Sequence, residues 1–200
     1  MSCSLQRLVR ISNVTSFSLC HASRRINPSC TPTILRSQVA LMSSFKNTPN
    51  VGGPLLDTII EDHKGIWSYY DEYANSAGDV DAQTRWANQF KWHVARHAIA
   101  EELVLYPLME QHMGEEGKQI AEEDRGIHQR VKEILYELES HAPDSKEHAA
   151  LLKEAVDILK QHGNHEEQVE FLKLQKALGD EGAAKAAASF ERTKLLAPTR

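Results

Sequence analysis

Residues 97–106 read His97-Ala98-Ile99-Ala100-Glu101-Glu102-Leu103-Val104-Leu105-Tyr106, and residues 162–171 read His162-Gly163-Asn164-His165-Glu166-Glu167-Gln168-Val169-Glu170-Phe171. The second stretch answers the first at an offset of 65 residues: His97 with His162, Glu101 with Glu166, and matched flanks at Glu102 with Glu167 and Val104 with Val169. His63 and His128 obey the same offset. Each half therefore carries a leading His and, 34 residues later, a His-x-x-x-Glu. Equal spacing in both halves is the mark of an internal repeat. Four residues advance an α-helix by about 400°, so His97 and Glu101 stand about 40° apart on one face, as do His162 and Glu166.

Outward from these stretches the apolar residues keep helical spacing. Pro54 opens a first helix with Leu55, Ile59, His63, Ile66, Tyr70 and Tyr73 on one face, ending at residues 75–78. A second starts at Asp79 or Asp81, either a suitable cap, and carries Trp86, Phe90, His93, His97, Glu101, Val104 and Leu108. Gly114 and Gly117 punctuate the chain before a third, with Ile120, Asp124, Ile127, His128, Val131, Leu135 and Leu138. Pro143 and Asp144 mark a turn and cap before a fourth, residues 145–178, with Leu151, Ala155, Ile158, His162, Glu166 and Val169 on one side. No useful length alternates as a strand does. The expected fold is all-α: an antiparallel up-down four-helix bundle over residues 54–178, with a pseudo-twofold repeat of helix pairs. The Ala-rich residues 179–200 are expected as a tail with a short extra helix, docked by Phe190 and Leu195.

Each His-x-x-x-Glu interrupts its stripe where the core is driest, since Phe90 and Val104 flank His97 at about 20° on either side. A buried carboxylate is costly unless it is paired or binds a cation. Two glutamates and four histidines converging on one bundle centre therefore imply a pair of metal ions, with carboxylates to bridge them and imidazoles to cap each. Imidazole and carboxylate without thiolate suit iron, with zinc and manganese as alternatives, and such bundles house di-iron carboxylate centres. The expected metal residues are His63, His97, Glu101, His128, His162 and Glu166.

Composition narrows the classes. Cys3, Cys20 and Cys30 are the three cysteines, which leaves no disulfide or thiolate metal site in the helical body. Nine of the ten histidines follow residue 60. Six of the 23 basic residues and none of the 28 acidic ones lie in residues 1–56. The body is thus acidic, which argues against nucleic acid as a partner. No apolar run reaches the roughly 18 residues of a membrane span. Residues 1–50 read as a disordered segment, Ser- and Arg-rich and acid-free, with Pro28, Pro32 and Pro49. Leu5, Leu8 and Val9 share a helical face away from Arg7 and Arg10, the composition of a mitochondrial transit peptide. Mitochondrial localisation is the expectation. A plain tail, or an extension upstream of a start at Met42, is the alternative and leaves the protein cytoplasmic.

The chain resembles the hemerythrin-like, or HHE cation-binding, family. The resemblance is carried by His63 in Glu61-Asp62-His63-Lys64-Gly65-Ile66, by His97 and Glu101 in the stretch running on to Pro107, by His128 in Gly126-Ile127-His128-Gln129-Arg130-Val131, and by His162 with Glu166. It covers about residues 55–178. It implies a four-helix bundle, a non-haem di-iron centre, bridging roles for Glu101 and Glu166, and terminal ligation by the four histidines. Oxygen-carrying hemerythrins have a fifth histidine one turn from the other His of the third helix. Here Asp124 and Lys132 stand one turn either side of His128, which counts against reversible oxygen carriage. His93, one turn before His97, is the candidate for that vacancy. In some members the fourth-helix carboxylate follows its His by five residues, which selects Glu167; Glu166 is preferred because Glu167 lies about 140° from His162.

His93 has two further readings, as a group orienting His97 or Glu101 and as a satisfied core histidine. Glu102 and Glu167 read as outward charges. His112, His141 and His148 read as surface residues, and His165 as facing a neighbouring helix or solvent. Tyr106 falls about opposite His97 and reads as packing or surface rather than as a redox tyrosine. Trp67 and Tyr70, close in phase to His63, are the better aromatic neighbours of the centre. Three functional classes follow: a di-iron protein of iron handling or of oxygen or nitric oxide binding; a di-iron oxidase, peroxidase or nitric-oxide reductase; and a metal- or oxygen-dependent sensor acting through a partner. The first is favoured because no separate substrate domain is visible.

Overall fold

The computed structural model describes residues 53–197; the segment read as a transit peptide lies outside them. Helix α1 (Pro54–Asn75) begins on Pro54, whose missing N–H would have had no helical acceptor. Gly78 turns the chain with a φ of 92°. Asp79 then caps α2 (Val80–Ala100), accepting from the Ala82 N–H. A π turn, Glu101–Leu105, carries α2 into α3 (Tyr106–His112). Helix α4 (Gly114–Glu137) ends in a 3-10 turn, Leu138–Ser140. Ser145 caps α5 (Lys146–His165). A second π turn, Glu166–Glu170, leads into α6 (Phe171–Leu196), which breaks at Gly179 (φ 66°, ψ 175°).

Two apolar clusters reveal the topology. Leu55 and Ile59 from the start of α1 share one with Leu105, Met109, Ala121, Phe171 and Leu174. Ile66, Phe90, Val131, Ile134, Leu152 and Val156 share the other. Successive rods thus run in opposite directions, as the expected up-down bundle requires. Between the clusters lies a layer of buried polar residues: His63, His97, Glu101, His128, His162 and Glu166. Among the described residues there is no strand, and no helix is long and apolar enough to cross a membrane.

The two π turns fall 65 residues apart, at the same point of the repeat, each closed by a bond spanning five residues: Tyr106 N–H to the Glu101 carbonyl, and Phe171 N–H to the Glu166 carbonyl. Such a turn inserts one extra residue into the helix. The buried stripe therefore resumes one position late. Leu105 and Met109 are buried where the regular period selected Val104 and Leu108, and Glu170 where it selected Val169.

Beyond Gly179 the expected extra helix folds back on the first cluster through Ala183, Ala186, Ala187 and Phe190. Leu195, expected to dock, is 77 % exposed; Lys194 is buried instead. Four residues from Phe190, Lys194 shares its face, whereas Leu195 is turned a further ~100° away.

Candidate metal centre

All six residues singled out in the sequence meet in the buried layer, with Glu101 and Glu166 completely enclosed. Glu101 Oε1 lies 3.1 Å from His97 Nε2, and its Oε2 lies 3.3 Å from His128 Nε2. Glu166 Oε1 lies 3.2 Å from His162 Nε2, and its Oε2 lies 3.5 Å from His63 Nε2. Each carboxylate thus joins the histidine of its own rod to one of the other half. The Nε2 atoms pair at 3.1 Å, His63 with His97 and His128 with His162. Two groups have their ligand atoms within 4.8 Å of one another: His63, His97, Glu101 and Glu166; and Glu101, His128 and His162.

A carboxylate faces the outer nitrogen of every one of these imidazoles. His63 Nδ1 donates to Glu167 (2.6 Å), His97 Nδ1 to Asp62 (2.8 Å) and His128 Nδ1 to Glu102 (3.1 Å). His162 Nδ1 stands 3.6 Å from Asp124 Oδ1. Protons held on Nδ1 leave the Nε2 lone pairs aimed inward, the arrangement that fixes a metal-ligating histidine. Glu102 and Glu167 are therefore not outward charges. Both lie at π turns, where the inserted residue rotates them toward the partner helix. Gly163 admits His63 to this packing, since a Cβ there would sit 2.8 Å from His63 Cε1.

The π turn also corrects Tyr106. It is fully buried, with its hydroxyl 3.3 Å from His128 Nε2. His148 is likewise no surface residue; it is buried, with Nδ1 3.1 Å from the Tyr73 hydroxyl. His93 belongs to neither group and packs against Tyr69 and Trp92. Trp67 stacks on His63, as its phase suggested. Asp62 and Lys194 are residues of the centre that sequence reasoning misses. Lys194 Nζ meets Asp62 Oδ1 at 2.5 Å, while Asp62 Oδ2 holds His97. Nothing in the spacing joins residues 132 positions apart; the shared phase of Lys194 and Phe190 is the one signal the sequence carries.

Burial and charge divide the layer. Burial works against protonation of His97, but Glu101 and Asp62 outweigh it and lift His97 to about 9. Asp62 is held at about 2 against the effect of burial by His97 and Lys194. His162 goes the other way, lowered to about 3, chiefly by burial. Glu101 is drawn well below the usual carboxylate range, its burial overcome by His97 and His128. Glu166 is pushed well above it by burial and by the charges of Glu101, Asp124 and Glu170. The layer holds more carboxylate than its own imidazoles can keep ionised.

A metal ion fits this donor set. All four oxygens of Glu101 and Glu166 are buried without a hydrogen-bond partner among the described residues. A cation among them and the inward Nε2 atoms would give each a partner and remove the cost of burying bare carboxylates.

Comparison with known proteins agrees with this reading. The sequence model described as "Hemerythrin HHE cation binding domain" matches residues 55–174. A hemerythrin-like protein of Schizosaccharomyces pombe is 44% identical over 143 residues, which cover 72% of this chain and 70% of that protein. No solved structure matches the chain. The match spans every residue of the buried layer, whose donors are fit to hold a metal ion: the chain belongs to the hemerythrin HHE cation-binding family, a family of metal-binding domains.

Proposed function

We propose that the two groups each hold one non-haem iron ion, bridged by Glu101 and Glu166, and that the pair serves iron handling or the binding of a small diatomic ligand, oxygen or nitric oxide. The observation that carries this reading is the reach of both carboxylates, each of which approaches an Nε2 atom in both halves. Mixed imidazole and carboxylate donors suit iron, with zinc and manganese as the alternatives. The ions supply redox chemistry and open coordination positions. The chain supplies orientation, through the carboxylates on the four Nδ1 atoms, and access. A groove of about 1040 Å³, walled by Trp92, Val131 and Leu135, reaches His97 and His128. The Asp124 carboxylate one turn from His128 weighs against a dedicated oxygen carrier.

A di-iron oxidase, peroxidase or nitric-oxide reductase is the second reading. The groove favours it by offering a substrate path, and Tyr106 favours it by placing a buried phenol beside the centre. Anaerobic reconstitution of the chain with ferrous iron tests both. About two ions per chain are expected in the wild type and less than about one in a His97→Ala, Glu101→Ala variant. Equal iron in both proteins would sink the site. A reversible visible-spectrum change under oxygen selects ligand binding, whereas sustained consumption of peroxide or nitric oxide selects the enzyme.

A further inference from the structure

We propose that Asp124, Glu166 and Glu170 form a further site for a divalent cation, built of oxygen donors alone and flanked by the exposed His165. The proposal rests on the metal-centre reading, because Glu166 is common to both. The three carboxylates bring ligand atoms within 4.8 Å of one another. Asp124 and Glu170 are each 3 % exposed. Asp124 and Glu170 stand within hydrogen-bond reach of one another; with both ionised, Asp124 Oδ2 and Glu170 Oε2 meet no donor among the described residues, and no Lys or Arg among those residues ion-pairs with the trio. Glu166 and Glu170, the first and last residues of the second π turn, are four residues apart and lie on one side of the helix.

The internal repeat shows that the fold does not require carboxylates here. Counting back 65 residues, Asp124 answers to Ile59 and Glu170 to Leu105. Both are fully buried in the first apolar cluster. The second half thus has two acids together at a depth where the first half has two aliphatic side chains. Such an exchange is destabilising unless a cation or a donor meets the charge. A third difference points outward from the same place. The counterpart of His165 is Ala100, fully buried, whereas the His165 side chain is 62 % exposed with Nε2 3.3 Å from Glu170 Oε1.

The first half also shows a cation on the aspartate that faces the answering histidine, although Asp62 and Asp124 are not repeat counterparts. Asp62 holds His97 with one oxygen and meets the Lys194 ammonium with the other. Asp124 faces His162 with one oxygen, and its other oxygen meets no cationic side chain. A bound divalent ion would occupy the place that Lys194 fills in the first half. Oxygen-only donors favour Mn²⁺, Mg²⁺ or Ca²⁺ over the metals that prefer imidazole.

The test uses the full chain with its centre filled by zinc, which is then titrated with Mn²⁺ while free Mn²⁺ is followed by electron paramagnetic resonance. The wild type is expected to take up about one further Mn²⁺ per chain. Glu170→Leu is expected to take up none and to keep the zinc content of the wild type, since Glu170 lies in neither histidine group and Leu is what the first half has at that depth. Glu170→Gln, which preserves volume, is expected to bind Mn²⁺ at least ~10-fold more weakly; it decides the matter if circular dichroism shows Glu170→Leu unfolded. Equal Mn²⁺ uptake in wild type and variant overturns the further site. So does a zinc-loaded wild type that takes no Mn²⁺, in which case Asp124 and Glu170 share a proton instead. Failure of the wild type to take up zinc overturns the metal centre and this site with it.

Discussion

In the first half of the bundle, His63 and His97 stand by Ile59 and Leu105, and the helix beyond Gly179 is packed over them. Phe190 meets the His97 ring edge-on at 5.7 Å, and Lys194 holds Asp62. In the second half, Asp124 faces His162 and gathers with Glu166 and Glu170, and no such helix among the described residues places a cationic side chain on them. The inner geometry repeats nonetheless. Each half offers two Nε2 atoms 3.1 Å apart, and each glutamate reaches across to the other half. Duplication supplies the same donors twice at the same depth. Divergence has changed the charge around them. The first half answers its outer carboxylate with an ammonium from its own chain; the second leaves its outer carboxylates for a cation from solution.

The comparison can be broken most forcefully at the C-terminal helix. Phe190→Ala removes a fully buried ring that meets His97 edge-on, at an expected cost of about 3–5 kcal/mol in denaturant melts of the metal-free protein. A cost below about 1 kcal/mol would mean that the helix merely rests on the bundle. Glu102→Gln and Glu167→Gln probe the part that repeats. Each removes a carboxylate from an Nδ1 atom, His128 in one case and His63 in the other. Each should weaken metal binding by about 10- to 100-fold, to the same extent. Unequal losses in competition titrations would show that the halves are not equivalent even at the centre.

The smallest expected effect is a difference in sign. In the folded, metal-free protein Asp62 lies at about 2, below the ordinary 3.8, so its ionised form stabilises the fold. That stability is present above about pH 3.8 and is lost as pH falls through about 2. Asp62→Asn should therefore lower Tm at neutral pH, with the gap closing in acid. Burial and the charges of Glu170 and Glu101 raise Asp124 to about 8, so folding favours its protonated form. Stability from that group is full below about pH 3.8 and lost as pH rises through about 8. Asp124→Asn should raise Tm most near pH 8 and least in acid. Thermal melts with chelator present check both; shifts of the same sign would refute the contrast between the halves.

Much of the centre is legible in the order of residues because the repeat is itself a long-range signal. An offset shared by His63, His97 and Glu101 with His128, His162 and Glu166 places six residues at one level of a bundle without knowledge of a single contact. The four rods are legible because apolar period is local, and the break at Gly179 because glycine readily takes the left-handed conformation found there. Asp124 stands out only as a histidine's absence, and Glu170 is hidden behind Val169 by the regular helical period.

By itself, then, the chain's order of residues determined the helix content, the repeat, the acidic body and the six inward donors, all of which follow from spacing and side-chain chemistry. Only the tertiary structure decided the register after Glu101 and Glu166, because a π turn is one extra residue that no local preference announces. From that register follow the burial of Tyr106 beside His128, the roles of Glu102 and Glu167 on the opposite half's imidazoles, and the carboxylate trio. The Lys194–Asp62 pair has the same origin. It joins parts of the chain that meet only because the last helix folds back on the first.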